Sequence, residues 1–171
     1  MDFSEIDRRG LVLLGCGKMG PALLAGWLDR GRAPGRVTVL EPHPSPWLAA
    51  SGTQVNGPLP ERPAMVLIAV KPQMMAEALP RVAGLGGGAT LFVSVAAGLP
   101  IAQYEAALGE GTPIVRAMPN TPAAIGQGIT AIVGSARASP KHMALAEGLL
   151  AAGGRVCRLD HEAQMDAVTG V

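Results

Sequence analysis

Short apolar runs alternate with amphipathic stretches along the chain from residue 11 onward. The apolar runs fall at 11–15, 37–41, 65–70, 90–95, 114–118, 129–133 and 155–159. Most of them are almost continuously apolar, as a strand covered on both faces must be. The amphipathic stretches predict helices at about 18–30, 44–51, 72–83, 100–108 and 140–152. This alternation predicts an α/β fold with a doubly wound, mostly parallel sheet.

Prolines mark the ends of several predicted helices. Pro72 and Pro100 suit a first helical turn, where the missing N–H costs nothing. Ser139 followed by Pro140 predicts an N-cap and the first helical residue. Pro80 is expected to end or kink the helix predicted at 72–83.

The composition excludes several classes of protein. Of the 171 residues, 49% are hydrophobic and 16% charged, with 23 glycines, 15 prolines and a formal net charge of +1. A disordered chain needs low hydrophobicity and high net charge, and non-specific nucleic-acid binding needs a basic surface with stacking aromatics. Neither composition is present, so we expect a globular domain with no nucleic-acid partner.

No membrane segment or metal site is expected from the sequence. No purely apolar run approaches the roughly 18 residues that a membrane-spanning helix needs. The first nine residues carry three acids, and the apolar stretch after them is too short for a signal peptide. Cys16 and Cys157 form no metal-binding spacing. We therefore expect a reducing, cytoplasmic location.

The sharpest local motif is G-x-G-x-x-G at Gly15, Gly17 and Gly20, between the first apolar run and the first predicted helix. In a Rossmann-type sheet, the first glycine permits the tight turn and the second lets the backbone approach a pyrophosphate. The third lets the helix pack closely on the strand, and the helix N-terminus offers N–H groups to the anion. Glycine-rich turns also occur without a ligand, but the strand–turn–helix context favours dinucleotide binding.

An acid follows at the spacing expected for ribose binding. Glu41 ends the second apolar run, 21 residues after Gly20, where a carboxylate accepts hydrogen bonds from the adenosine ribose hydroxyls. The alternative is a solvated carboxylate at a strand end. A carboxylate at the ribose repels a 2′-phosphate and favours NAD, whereas Lys18, Arg36 and His43 lie nearby in sequence and offset that repulsion. The choice between NAD(H) and NADP(H) therefore stays open.

Residues after the later apolar runs are further candidates, because open α/β sheets bind ligands at the carboxyl ends of their strands. Lys71 either contacts a ribose or phosphate or is a solvated strand end. Small residues at 96–98 would let a cofactor ring lie against the backbone. Asn120 lies between two prolines, where it either faces the site or caps its own turn.

Five segments, taken in order, resemble the pyrroline-5-carboxylate reductase family. They are the glycine loop at 15–20, Ala-Val-Lys-Pro-Gln at 69–73, Ser-Val-Ala-Ala-Gly at 94–98, Val-Arg-Ala-Met-Pro-Asn-Thr-Pro at 115–122 and Glu-Ala-Gln-Met-Asp-Ala-Val-Thr at 162–169. The last two are the most discriminating, because many unrelated enzymes share the glycine loop. The resemblance implies reduction of a small molecule, 1-pyrroline-5-carboxylate, to L-proline in proline biosynthesis, with hydride transfer from NADPH or NADH.

The resemblance also implies where the site residues lie. Asn120 is expected near the nicotinamide and the substrate. Asn56 is expected to contact the cofactor, although Asn-Gly-Pro at 56–58 is equally typical of a turn. No catalytic residue is assigned, since the three histidines are each expected at the surface. The expected cofactor-binding residues are Gly15, Cys16, Gly17, Lys18, Met19, Gly20, Glu41, Asn56, Ala69, Val70, Lys71, Pro72, Ala96, Ala97 and Gly98.

Finally, the resemblance implies a division of the chain. Residues 1–160 correspond to a dinucleotide-binding Rossmann domain. Residues 161–171 correspond to the start of a helical domain, truncated here, that forms the family's homo-oligomers and supplies the proton donor. The chain is then expected to carry the cofactor-binding half of the reaction and to turn over poorly alone. Two alternatives stay open, a non-catalytic nucleotide-binding module and the cofactor half of another Rossmann dehydrogenase.

Overall fold

The computed structural model describes residues 3–169. Its strands are β1 Leu11–Leu14, β2 Val37–Leu40, β3 Gln54–Val55, β4 Met65–Ile68, β5 Leu91–Ser94, β6 Ile114–Pro119, β7 Gly128–Gly134 and β8 Gly154–Arg158. Its α-helices are α1 Ser4–Arg9, α2 Met19–Asp29, α3 Pro46–Ala49, α4 Met75–Ala78, α5 Ile101–Leu108, α6 Pro140–Leu150 and α7 Gln164–Thr169.

All of these strands join one sheet in the order β3-β2-β1-β4-β5-β6-β7-β8. Every neighbouring pair is parallel except β6 with β7. The segment between β6 and β7 holds only a short 3-10 turn, and a parallel crossover needs a dozen or more residues. The strand order reverses at the β1–β4 pair. The fold is therefore a Rossmann-type, doubly wound and mostly parallel sheet, as predicted.

Hydrophobic cores lie on both faces of the sheet. Successive side chains of a strand point to opposite faces, and the residues of β1 divide accordingly. Leu11 packs in one cluster with Trp27 of α2 and with residues of α6. Val12 packs in the other cluster with Tyr104 of α5 and Met165 of α7. The central strands are buried along their whole length, which explains why the sequence shows near-continuous apolar runs.

Each of the seven predicted apolar runs overlaps a strand, and the structure adds α1 and the two-residue β3. Neither added element carries an apolar pattern long enough to detect, since Ile6 is the buried residue of α1 and β3 is not buried. The helix predicted at 72–83 is broken. Its α-helical part ends at Ala78, and Pro80 lies in the 3-10 turn Leu79–Arg81, so the predicted effect of Pro80 is confirmed.

The predicted N-cap of α6 is also confirmed, and it forms a capping box. His142 N–H donates to Ser139 Oγ at 3.2 Å, and Ser139 N–H donates to His142 Nδ1 at 3.0 Å. His142, one of the three histidines expected at the surface, is half-buried because its ring closes this cap. Burial is the main cause that lowers the pKa of His142 from 6.5.

Candidate functional site

The predicted site residues come together along one edge of the sheet. Strands β2, β1, β4, β5 and β6 are neighbours and parallel, so their carboxyl ends lie side by side. Backbone hydrogen bonds extend the pairing into the loops, with Ala69 N–H donating to Leu14 O at 2.8 Å. The β1–β4 pair at the centre of this edge is the topological switch point, where sheets of this kind bind ligands.

The glycine loop is tight at its first and third glycines and open at the second. Gly15 has φ +85°, and a Cβ there would lie 2.6 Å from Val70 Cγ1. A Cβ on Gly20 would lie 3.1 Å from Gly15 O, whereas one on Gly17 would meet nothing within 4 Å. The first turn of α2 has no side-chain cap and no acid. The loop therefore presents an exposed backbone and a helix N-terminus that suit a pyrophosphate.

The carboxylate of Glu41 is fixed beside this loop. Cys16 N–H donates to Glu41 Oε2 at 2.8 Å, and His43 N–H donates to Glu41 Oε1 at 3.1 Å. A carboxylate oxygen has two lone pairs, so each oxygen retains capacity to accept another hydrogen bond. Glu41 is half-buried at the end of β2, and it is not the freely solvated carboxylate of the alternative interpretation.

Asn56 holds the backbone of Glu41. It has a left-handed conformation with φ +53° in the turn after β3. Glu41 N–H donates to Asn56 Oδ1 at 3.0 Å, and Asn56 Nδ2 donates to Glu41 O at 2.8 Å. The turn interpretation of Asn56 fits this geometry, and the turn itself positions Glu41. A direct contact between Asn56 and a cofactor stays a prediction.

The thiol of Cys16 contributes no nucleophile to the site. Burial, together with the negative charge of Glu41, raises the pKa of Cys16 to about 11. The thiol is therefore protonated at neutral pH, and a protonated thiol is unreactive. This agrees with Cys16 as a small residue that fills the turn, with Lys18 exposed and Met19 half-buried after it.

The ends of β4 and β5 offer one charged side chain and a flat surface. Lys71 is exposed after β4. After β5, Ala97 and Gly98 are exposed; Gly98 has φ +84°, and a Cβ added there would meet no atom within 4 Å. Ala96 is buried, and its N–H donates to Ser94 Oγ at 3.2 Å. Backbone and methyl groups therefore form the surface where a planar ring is expected.

The side chain of Asn120 joins the end of β6 to the start of β7. Its Oδ1 accepts a hydrogen bond from Ile129 N–H at 2.9 Å, and its backbone oxygen accepts one from Ala123 N–H at 3.0 Å. Within residues 3–169 its side-chain nitrogen, Nδ2, has no hydrogen-bond partner, and the residue is exposed at the end of β6. Asn120 thus fixes the turn between the two strands, and its contact with the nicotinamide or the substrate stays a prediction.

A polar network between Glu162 and Arg116 was not predicted from the sequence. Glu162 Oε2 accepts hydrogen bonds from Arg116 Nη1 at 2.9 Å and from Ile101 N–H at 2.6 Å. The Arg116 side chain is only 7% exposed. Its position in an apolar run was the available signal, because a buried guanidinium needs a carboxylate partner.

The described part of the chain holds neither a metal cluster nor a membrane-spanning helix. Among residues 3–169, no group of three or more His, Cys, Asp or Glu side chains is arranged to hold a metal ion. Within the same range, every helix is too short or too polar to cross a membrane.

Comparison with known proteins shows which family the chain resembles. Residues 10–98 match the protein family described as NADP oxidoreductase coenzyme F420-dependent. Over 167 residues the chain is 34% identical to a pyrroline-5-carboxylate reductase of Pseudomonas aeruginosa, an alignment that covers 94% of this chain and 61% of the relative. The chain spans about three fifths of the length of the curated relatives that it matches. The resemblance to pyrroline-5-carboxylate reductases is thereby confirmed.

Two solved structures share the fold. A pyrroline-5-carboxylate reductase of Coxiella burnetii has a TM-score of 0.88 at 24% identity, covering 95% of this chain and 63% of the other. A pyrroline carboxylate reductase of Plasmodium falciparum, solved with NADP bound, has a TM-score of 0.80 at 21% identity, covering 95% and 62%. These likenesses establish the fold.

Proposed function

We propose a function from one premise: the chain belongs to the family described as NADP oxidoreductase coenzyme F420-dependent. The chain binds a nicotinamide dinucleotide, NAD(H) or NADP(H), at the carboxyl edge of its sheet. It carries the cofactor-binding half of a pyrroline-5-carboxylate reductase, which reduces 1-pyrroline-5-carboxylate to L-proline. The curated relatives support this choice of substrate.

The observation that carries the proposal is the contrast within the glycine loop. Added Cβ atoms at Gly15 and Gly20 would meet neighbouring atoms, whereas one at Gly17 would meet open space. This is the arrangement in which the second glycine leaves room for a pyrophosphate. With the uncapped N-terminus of α2 beside it, the loop fits the group that the proposal requires.

A bound reduced nicotinamide supplies the hydride, and the residues of this chain hold and orient the dinucleotide. The glycine loop and α2 bind the pyrophosphate, Glu41 accepts hydrogen bonds from the adenosine ribose, and the surface at 96–98 receives the nicotinamide ring. Asn120 offers its amide N–H beside that surface. Such positioning contributes to the rate because hydride transfer needs the reacting atoms held in a fixed orientation.

Within this function the geometry favours NADH over NADPH. The negative charge of Glu41 is fixed by hydrogen bonds beside the glycine loop, where a 2′-phosphate would be repelled. Arg36 precedes β2 and Glu41 follows it, so the two lie roughly 15 Å apart at the 3.3 Å rise of a strand. Arg36 therefore offers no compensation, which leaves Lys18 in the glycine loop and His43, two residues after Glu41, as the basic residues near the carboxylate.

The finer organisation of the protein is part of the same proposal. Residues 1–160 form the dinucleotide-binding domain, and 161–169 begin a helical domain through which homo-oligomers form. Residues 170 and 171 of that segment, like 1 and 2, lie outside the described residues. Free thiols at Cys16 and Cys157 support a reducing, cytoplasmic location.

Calorimetric titration of the purified chain with NADH, NADPH and ATP tests the cofactor. We expect binding of both dinucleotides, tighter for NADH, and no binding of ATP. Gly17→Val should weaken dinucleotide affinity at least about tenfold by filling the approach to the pyrophosphate. Gly84→Val is the matched control, since Gly84 also faces open space but lies away from the site.

The alternatives give different results. Binding of ATP with neither dinucleotide would favour a non-catalytic nucleotide-binding module. Oxidation of NADH with another imine or a 2-oxo acid, but not with 1-pyrroline-5-carboxylate, would favour another Rossmann dehydrogenase.

A further inference from the structure

We propose that Glu162 is a positioning residue for the nicotinamide end of the site. It fixes the loop at 95–100 and the start of α5 from a segment that is 61 residues further along the chain than Ile101. The inference rests on the proposed function, since it takes the surface at 96–98 as the place of the nicotinamide.

Glu162 caps α5, although it is far from this helix in sequence. Ile101 is the first residue of α5, and Pro100 at the N-cap position has no side-chain acceptor to offer. The first N–H groups of a helix lack partners within the helix, and Glu162 Oε2 accepts the one from Ile101 at 2.6 Å. A carboxylate at this place also interacts favourably with the helix dipole.

Arg116 holds the carboxylate in place. Arg116 is a buried residue of β6, and its guanidinium donates to the same Oε2 of Glu162 at 2.9 Å. Removing one partner of such a pair leaves a buried charge uncompensated. The orientation of Glu162 is therefore set by a side chain of β6, a strand that is paired on both sides.

The start of the loop at 95–100 is also held by hydrogen bonds, through Ser94 at the end of β5. Ser94 Oγ accepts a hydrogen bond from Ala96 N–H at 3.2 Å and lies 2.5 Å from the hydroxyl oxygen of Tyr104. Tyr104 is fully buried, and burial raises the pKa of its hydroxyl, an effect that the bond with Ser94 and the charge of Arg116 partly offset. The loop is thus fastened near Ala96 by Ser94 and at Ile101 by Glu162, with exposed Ala97 and Gly98 between.

Replacement of Glu162 should disturb only the nicotinamide half of the dinucleotide site. The loop at 95–100 follows β5, whereas the glycine loop and Glu41 follow β1 and β2, and β4 separates the two groups of strands. A ligand that reaches the 96–98 surface should therefore lose affinity, and a ligand confined to the adenosine half should not.

Calorimetry with NADH and with ADP-ribose, which lacks the nicotinamide, tests this difference on the full chain. For Glu162→Ala we expect NADH affinity to fall about tenfold and ADP-ribose affinity to change less than about twofold. Glu162→Gln keeps an oxygen for Ile101 N–H without the charge, so NADH affinity should be partly restored. Glu147→Ala is the matched control, because Glu147 also pairs with an arginine, Arg158, and has similar side-chain exposure, 35% against 33%.

The outcomes separate the two proposals. Equal losses for both ligands in Glu162→Gln, or no loss of NADH affinity in either Glu162 variant, would overturn the positioning role. Circular dichroism checks that the variants are folded, and the Gln variant decides the question if the Ala variant unfolds. A wild-type chain that binds ADP-ribose and NADH equally would also overturn the positioning role, whereas one that binds neither would overturn the proposed function.

Discussion

Glu41 is held by three residues, and under the proposed function this would make its charge effective in selecting a cofactor. Backbone N–H groups of Cys16 and His43 bind its two carboxylate oxygens, and the amide of Asn56 binds both polar groups of its backbone. A flexible carboxylate turns away from an approaching phosphate at little cost. One that is held in this way would keep its charge beside the proposed ribose site, so the repulsion of a 2′-phosphate would be retained.

We expect Glu41→Ser to raise the ratio of NADPH affinity to NADH affinity about tenfold, because the fixed charge is removed and a ribose hydroxyl loses its acceptor. Calorimetry with both dinucleotides on the same protein measures the ratio. Glu61→Ser is the control, since Glu61 is exposed in the loop before β4, at the opposite edge of the sheet. An unchanged ratio in Glu41→Ser would remove Glu41 from the cofactor choice.

Local geometry explains which site residues could be predicted from the sequence. The glycine loop and Glu41 were predictable because a tight turn and a strand end fix their positions at a set spacing. The pairing of Asn56 with Glu41, and of Glu162 with Arg116, joins turns and strands that are 15 and 46 residues apart. Such pairs depend on how the turns pack, which periodicity does not encode.

At the scale of elements, helices α2, α5 and α6 differ in whether and how their N-terminal N–H groups are capped. Helices α2 and α5 follow parallel strands and therefore begin at the edge that holds the site. The first has no side-chain cap, and the second is capped by Glu162. Helix α6 follows the antiparallel β7 and begins at the opposite edge, where its own residues cap it. The sequence predicted this last cap, because Ser139 and Pro140 are adjacent in the chain.

The capping box of α6 should make stability depend on pH. Its His142 Nδ1 accepts a hydrogen bond and so must be unprotonated. Burial lowers the pKa of His142 from 6.5, and this effect exceeds the opposing one of a hydrogen bond with the backbone of Arg137. The folded state thus favours neutral His142, and stability falls as the pH drops below 6.5 towards the lower folded pKa. We expect a loss of about 1 kcal/mol or less by pH 5, because the ring is only half-buried.

Urea unfolding of variants at pH 7.5 and pH 5 measures this effect. His142→Gln should lose this part of the pH dependence while keeping the cap, since a glutamine oxygen accepts the same hydrogen bond without titrating. His161→Gln, a change at an exposed histidine, should retain it. An equal pH dependence in His142→Gln and the wild type would contradict the assignment.

At the scale of the whole molecule, the sheet joins the two cores into one unit. Each central strand contributes alternate side chains to both clusters. Loss of packing on one face of the sheet therefore also disturbs the strands that form the core on the other face. Trp27 connects distant parts of the first cluster. It is 2% exposed in α2, and its Nε1 donates to Leu149 O of α6 at 2.9 Å across 122 residues of sequence.

Trp27→Phe should therefore destabilise the whole domain. The change removes the indole donor from Leu149 O, which keeps the N–H of Ala151, and opens a small cavity, which together cost about 2–4 kcal/mol. Urea unfolding followed by far-ultraviolet circular dichroism measures the loss, and we expect one cooperative transition at a lower midpoint. Trp47→Phe is the matched control, because Trp47 is 44% exposed and its replacement should cost less than about 0.5 kcal/mol. Equal losses in the two variants would contradict the role assigned to Trp27, and a second transition confined to Trp27→Phe would show that the helices on this face unfold apart from the sheet.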